Sequence, residues 1–178
     1  SLETAAAVLV KRLPRVFRLY TYNCGRVGIL FSGGVDSCLV AKCIIDQGVN
    51  PILYVAGFED SHDVEAAERA AEKLGCRLRK RIIAIEELEE YIAKVIYAVE
   101  EYNPMKIGVG LPLYLASEAA AADGVRSLFT GQGVDELFGG YWKYTRIIRN
   151  HGFVGLQEEL WQSVLSLSEV NLQRDKGI

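Results

Sequence analysis

Leu30-Phe31-Ser32-Gly33-Gly34-Val35-Asp36-Ser37 decides how the rest of this chain is read. An apolar run from Val27 to Phe31 flows into it and helix-forming residues leave it, so the order is strand, glycine turn, helix start. Two glycines let the backbone turn sharply and bring its N–H groups close to an anion, and a helix beginning near Asp36 adds the positive end of its dipole. The expected guest is phosphate. Ser32 and Ser37 can donate hydroxyl hydrogen bonds to phosphate oxygens, whereas the Asp36 carboxylate would repel them unless a divalent cation lies between. A carboxylate in a phosphate loop therefore implies Mg2+. The competing reading is a plain turn in which Asp36 and Ser37 only start a helix. It is the weaker one, because these residues sit in the strand-to-helix context that phosphate chemistry requires.

The stretch carries neither Gly-x-x-x-x-Gly-Lys nor Gly-x-Gly-x-x-Gly. Ser32-Gly33-Gly34-Val35-Asp36-Ser37 instead resembles the pyrophosphate loop of the N-type ATP pyrophosphatases. The resemblance implies a Rossmann-like fold of the adenine nucleotide α-hydrolase type. It also implies cleavage of ATP between the α and β phosphates, with AMP left on a substrate.

Outward from the loop, strand and helix signals alternate. Ser37 to Gln47 predicts a crossover helix closed by Gly48, and Pro51 to Ala56 a second buried strand. Parallel strands joined this way gather their ligands at the strands' carboxyl ends, where Ala56, Gly57 and Phe58 would lie beside the phosphate loop. Backbone groups of Ala56 and Gly57 can read an adenine edge there; a simple turn is the equal alternative. Ser61 to Leu74 is a helix capped by Ser61 or Asp60, and Arg77 to Ala84 a strand whose arginines alternate onto one face, as at a sheet edge. Ile85 to Glu101 is helical, Tyr102 to Pro112 a Gly- and Pro-rich loop placed to face an acceptor substrate, and Leu113 to Ala122 an alanine-rich helix. Upstream, Leu2 to about Tyr20 is a packing helix that Pro14 interrupts or ends. Its Lys11, Arg12, Arg15 and Arg18 read as a solvated face. The expected fold is α/β, a doubly wound parallel sheet with flanking helices, in two segments: residues 1–26 as the packing helix and 27–178 as the nucleotide domain.

Ser127 to Thr130 is a short strand followed by Gly131-Gln132-Gly133-Val134-Asp135-Glu136-Leu137-Phe138-Gly139-Gly140-Tyr141, which repeats the opening device of strand, glycine turn and acidic helix start. Asp135 and Asp36 would both belong to the carboxyl edge and together hold Mg2+ against pyrophosphate. This second stretch looks like the second motif of the synthetase domain of asparagine synthetases. With Gly57-Phe58-Glu59 and Leu111-Pro112-Leu113-Tyr114-Leu115 in register, the similarity runs from about Val27 to Tyr144. The resemblance implies that ATP activates a carboxylate, aspartate first, to an acyl-adenylate that ammonia or another amine converts to an amide.

On that resemblance Ser32, Gly33, Gly34, Asp36 and Ser37 hold the β and γ phosphates. Leu30, Phe31, Val35, Ala56, Gly57, Phe58 and Gly131 border the nucleotide, and Gln132 approaches the activated carboxyl. Asp36, Gln132 and Asp135 are the catalytic set, and Asp36 and Asp135 the metal ligands. Gln132 stands where the family usually has Glu. Met105, Gly108 and Val109 occupy ground that usually carries Thr and Arg, and an arginine and a lysine that complete the family's site fall after Asn171–Asp175 and Ile178. Nothing before Val27 resembles a glutaminase domain, so nitrogen is expected from free ammonia or a partner subunit, and a homo-oligomer stays open. These departures leave a nucleotide-binding subunit that does not catalyse alone as an alternative.

The bulk numbers agree with small-molecule chemistry. At 178 residues, with half of them hydrophobic and 24% charged, the chain suits one α/β domain. A net charge of -3 and a pI near 5.5 argue against a nucleic-acid partner bound through broad electrostatics. The four cysteines, Cys24, Cys38, Cys43 and Cys76, lack metal-site spacing and read as reduced thiols. Sulfur transfer to tRNA, known among relatives of this loop, would need one of them to be reactive. No apolar run approaches a membrane span and no secretory signal opens the chain, so it is expected in the cytoplasm.

Overall fold

In the computed structural model, residues 2–175 are described; Ser1 and residues 176–178, which the two expected segments included, lie outside the described residues. The elements are α1 (Leu2–Thr21), β1 (Val27–Leu30), α2 (Val35–Ile45), β2 (Ile52–Gly57), α3 (His62–Leu74), β3 (Arg77–Ile82), a 3-10 turn (Ile85–Glu87), α4 (Leu88–Val99), α5 (Pro104–Ala122), β4 (Ser127–Phe129), α6 (Val134–Phe138) and α7 (Trp142–Asp175). By internal contacts the chain divides into two compact units, Ser1–Gly131 and Gln132–Ile178.

The first unit holds a parallel sheet of order β3-β2-β1-β4. Side-chain alternation explains its layers. Val27 and Ile29 on β1, Phe31 just after it, and Leu53 and Val55 on β2 point to one face, where Ala41 and Ile44 of α2 and Val64, Ala67 and Ala71 of α3 cover them. Tyr54 and Ala56 point to the other, covered by Tyr91 of α4 and Leu115, Ala116 and Ala120 of α5. Truncating a fully buried aliphatic such as Ile29 or Leu53 to alanine would cost about 2–5 kcal/mol. The chain runs from β1 outward to β3, then returns through α4 and α5 to β4 on the other side of β1. The helices therefore change face, which makes the sheet doubly wound and puts its topological switch point between β1 and β4.

Two helices differ from the sequence reading. α1 continues through Pro14 to Thr21. Proline deletes one helical hydrogen bond, but Thr21 beyond it is buried and the Phe17 ring packs on Phe129 with centroids 6.1 Å apart, so tertiary contact holds the helix together. Of the expected loop from Tyr102 to Pro112, only Tyr102 and Asn103 precede a helix; Pro104 to Pro112 form the first half of α5. Pro104 stands at the start of the helix, where its missing N–H costs nothing, and the Asn103 side chain accepts from the Met105 N–H at 2.9 Å. Gly110 in this stretch lies against α4, where a methyl group would approach Val95 Cγ1 to 3.0 Å. Lys106 is thus a first-turn helical residue, paired with Glu101. The remaining boundaries agree to within a few residues: Ser61 caps α3 by accepting from the Val64 N–H at 3.4 Å, and Gly75 closes it in the left-handed conformation.

β3 is an edge strand, as its arginines suggested, and Arg79 and Arg81 are structural. Arg81 Nη2 donates to Glu87 Oε1 at 2.7 Å and to the Tyr91 hydroxyl at 3.2 Å, and Tyr91 donates to Glu118 at 2.8 Å, which clamps α4 and α5 to the strand. Arg79 makes a forked contact to Asp123, Nε to Oδ2 at 3.0 Å and Nη2 to Oδ1 at 3.3 Å, while the Tyr54 hydroxyl donates to the same carboxylate at 3.0 Å. The Tyr54 bond and then Arg79 hold the Asp123 carboxyl below its ordinary range; burial, followed by Asp123, pushes the Tyr54 phenol up to about 12.

A depressed carboxyl contributes stability that is present above the unfolded value, about 3.9, and is lost as pH falls through the folded one. Asp123→Asn is therefore expected to lower the melting temperature at pH 7, and the gap to wild type should close as the pH drops below about 4. A gap that stays constant across that range in thermal melts would remove the electrostatic account.

Candidate functional site

The phosphate loop leaves β1 at the carboxyl edge of the sheet. Gly34 is the extended N-cap of α2 and gives no side-chain cap, in contrast to Ser61 on α3 and Asn103 on α5. First-turn N–H groups have no intrahelical acceptor, so this end of α2 is built to meet one from outside. The loop is tied by its own hydroxyls. Ser32 Oγ accepts from the Gly34 N–H at 3.3 Å and lies 3.4 Å from Ser37 Oγ, and the buried Ser37 donates to the Gly34 carbonyl at 3.1 Å. Gly33 has φ +75, and a Cβ there would fall 2.5 Å from the carbonyl carbon and oxygen of Ala66. The loop thus rests directly on the backbone of α3, a contact with no signature in the sequence.

Gly57 closes β2 beside this loop, its carbonyl accepting from the Ile83 N–H at 3.1 Å, and a Cβ on it would lie 2.8 Å from Ser61 Oγ. Gly131, after β4, sits where a Cβ would be 2.9 Å from Asp36 Cβ and 3.1 Å from Ser37 N. Within the first unit, then, the edge gathers Ser32 to Ser37, Gly57 and Gly131 from three different strand ends. Phe58 and Val35 are left in solvent, Val35 at 83% exposure. Phe31 and Ala56, read as nucleotide-bordering, have their side chains in the core and offer only backbone to a ligand; Leu30 is partly buried against the α5 face.

In the second unit Gln132 is exposed and Gly133, with φ 91°, starts α6. Asp135 and Glu136 occupy the first turn of that short helix. The Gly139 and Gly140 N–H groups donate to the Asp135 carbonyl at 2.9 and 3.1 Å. Tyr141 donates to Glu136 Oε1 at 2.5 Å, which pushes its phenol up to about 12; the sequence reading quoted Tyr141 without giving it this task. α7 contains Gly152 at φ 66° and ψ -168°, where two helical segments meet at a kink.

The residues fit a shared cation better than a caged one. Among the described residues no three His, Cys, Asp or Glu side chains cluster as a metal site. Mg2+ commonly takes one or two carboxylates and completes its octahedron with phosphate oxygens and water, and Asp36 sits in the first turn of the helix that ends the phosphate loop.

The family pattern described as asparagine synthase matches residues 21–175. The chain belongs to the asparagine synthase family. It is 51% identical over 175 residues to the "Putative asparagine synthetase 1 (glutamine-hydrolyzing)" of Methanocaldococcus jannaschii, covering 98% of this chain and 32% of that protein. It is 30% identical to the root asparagine synthetase (glutamine-hydrolyzing) of Pisum sativum, over 83% of this chain and 26% of that one. The chain therefore spans a third or less of these relatives. Among solved structures, the NH3-dependent NAD synthetase of Campylobacter jejuni superposes with TM-score 0.51 at 17% identity, covering 76% of this chain and 60% of that one. The NMN synthetase of Francisella tularensis gives 0.51 at 20% identity, covering 80% and 59%. Both likenesses concern the fold, and both agree with the parallel sheet described above.

In this asparagine synthase family member three of the four thiols are disfavoured for chemistry. All four cysteines are free, and burial pushes the Cys38, Cys43 and Cys76 thiols up, away from the thiolate that sulfur transfer needs. Cys38 Sγ is 3.5 Å from the Gly33 carbonyl, so it packs beneath the loop.

Gly33→Ala should destabilise the fold by about 2–6 kcal/mol, because an L residue at positive φ costs about 1–3 kcal/mol and overpacking against Ala66 adds a similar amount. Equilibrium urea unfolding measures it; a loss below about 0.5 kcal/mol would mean that the loop does not rest on α3.

Proposed function

We propose that this chain is an ATP-dependent adenylating domain that prepares a carboxylate for amide formation. The observation that carries the reading is the uncapped start of α2 behind Ser32-Gly33-Gly34, at the switch point between β1 and β4, with Asp36 in its first turn. An anion site and a carboxylate at one place match a metal-bound pyrophosphate leaving group.

Ser32, Ser37 and the N–H groups around Gly33 and Gly34 hold the β and γ phosphates. Bound Mg2+ would neutralise charge on the departing pyrophosphate; Asp36 holds it at the loop, and the second motif assigns Asp135 the same duty. Gly57 and Gly131 let backbone come close to the adenosine, with Leu30 and the backbone of Phe31 and Ala56 around it, and the exposed Val35 and Phe58 supply apolar surface for the base. A carboxylate oxygen of the acceptor attacks the α phosphorus, the bond from that phosphorus to the bridging oxygen breaks, and pyrophosphate leaves. Ammonia nitrogen then attacks the acyl carbon, AMP departs with the mixed-anhydride oxygen, and the nitrogen loses a proton. Gln132 is the side chain we assign to the activated carboxyl, which it can orient by hydrogen bonds but cannot deprotonate.

Aspartate is the first acceptor to consider, because the relatives are named asparagine synthetases; their names also include glutamine hydrolysis, which would supply ammonia in those longer proteins. The nucleotide domain is assigned from Val27 onward, with α1 packed on α2. No helix among the described residues is long and apolar enough to cross a membrane, and reduced thiols with ATP-dependent chemistry suit the cytoplasm.

The test is ATP–pyrophosphate exchange with Mg2+ across a panel of carboxylic acids led by aspartate. Exchange that requires one acid supports the reading and names the substrate. ATP binding with no exchange for any acid would replace it with a nucleotide-binding subunit. Asp36→Asn should lower exchange by at least about 100-fold while the melting temperature stays near that of wild type.

A further inference from the structure

Glycine is required at Gly131 for a reason other than backbone freedom. Its φ lies outside the positive range that marks Gly33, Gly48, Gly75 and Gly124, so alanine could adopt its conformation. What forbids a side chain is contact. A Cβ at position 131 would lie 2.9 Å from Asp36 Cβ and 3.1 Å from both Asp36 C and Ser37 N. Two of those atoms are backbone, which cannot swing aside as the tip of a side chain can.

Both partners in the contact are anchored. Gly131 follows β4, whose Phe129 is in register with Ile29 of β1. Asp36 lies in the first turn of α2, whose buried Ser37, Ala41 and Ile44 fix it to the core. A methyl inserted here can be accommodated only by parting the β4 turn from the first turn of α2, and the nearest atom to move is the Cβ that carries the Asp36 carboxylate. We propose that Gly131 is a positioning residue: its bare Cα lets the turn after β4 press on α2 and thereby aims Asp36 at the cation. This rests on the nucleotide reading above, and adds to it a residue that acts through another one.

In the second unit a Cβ on Gly140 would fall on Asp135 Oδ1 and lie 2.9 Å from its Cγ, so the carboxylate occupies the space that a side chain at position 140 would need. There the nearest atoms belong to a side chain that can turn away, whereas at Gly131 two of them are backbone.

Calorimetric titration of ATP with and without Mg2+ tests the role, scored as the ratio of the two affinities within each protein. Any contact between position 131 and adenosine enters both titrations and cancels in the ratio, whereas a misaimed Asp36 does not. The wild type should show a clear Mg2+ enhancement and Asp36→Asn almost none. Gly131→Ala should lose about tenfold or more of the enhancement, since a displacement well under 1 Å at a reacting group is already costly. Gly131→Ala with the full wild-type enhancement would overturn the positioning role, and so would a variant unfolded at the assay temperature, because the glycine would then serve packing alone. A wild type that does not bind ATP, or an Asp36→Asn that keeps its Mg2+ response, would instead bring down the nucleotide reading and this inference with it.

Discussion

Strand β1 is paired on both edges and buried on both faces, and the remainder of the first unit follows from that position. Gly28, Ile29 and Leu30 are in register with Ile52, Leu53 and Tyr54 of β2, while Val27, Gly28 and Ile29 face Ser127, Leu128 and Phe129 of β4. A strand with no free edge cannot shift register without losing two ladders, so the residue after its end is fixed in space. That residue begins the phosphate loop. The neighbours of β1 are also the two strands whose following turns, at Gly57 and Gly131, border the same edge.

Rigidity at this edge comes from close backbone contact more than from side-chain bonds. Gly33 lies on Ala66, Gly57 on Ser61 and Gly131 on Asp36, each nearer than a side chain would allow. The hydroxyls of Ser32 and Ser37 close the loop on itself with long hydrogen bonds of 3.1–3.4 Å. The contacts of Gly33 with the Ala66 backbone and of Gly131 with the backbone of Asp36 and Ser37, by contrast, cannot turn aside as a side chain can, so the scaffold is firm there. Charge is handled away from the loop. Arg79 and Arg81 of the edge strand are consumed by Asp123, Glu87 and Tyr91, which secure α4 and α5 and blunt an exposed strand.

Local chemistry carried most of the fold. The strands, the crossover helices, the caps at Ser61 and Gly75 and the edge character of β3 follow from periodicity and turn residues near in sequence. The reading faltered where a local breaker was overruled from a distance. Pro14 did not end α1, because Phe17 docks on Phe129 far along the chain. Pro104 and the glycines behind it suggested a loop, although Asn103-Pro104 is also a good helix start; the packing of Gly110 on Val95 decided the matter. The polar loop residues of the candidate site stand out in the sequence because a glycine pair, hydroxyls and an acid recur within six positions at a strand end. Strand alternation sends the side chains of Phe31 and Ala56 to opposite faces of the core, which leaves the backbone of Ala56, the part named for an adenine edge, at the end of its strand.

The sequence by itself determined the doubly wound α/β class and the strand-turn-helix form of Leu30 to Ser37, because both depend on residues within a few positions of one another: a strand, a glycine pair, a hydroxyl and an acid at a helix start. Only the tertiary structure decided which glycine answers to which partner. Gly131 and Asp36 are ninety-odd residues apart, and the distance between their Cβ positions is a consequence of β4 lying beside β1, which the order of elements along the chain does not contain. Steric exclusion acts over a few ångströms of space and carries no trace of sequence separation, so it is visible only once the strands are in place.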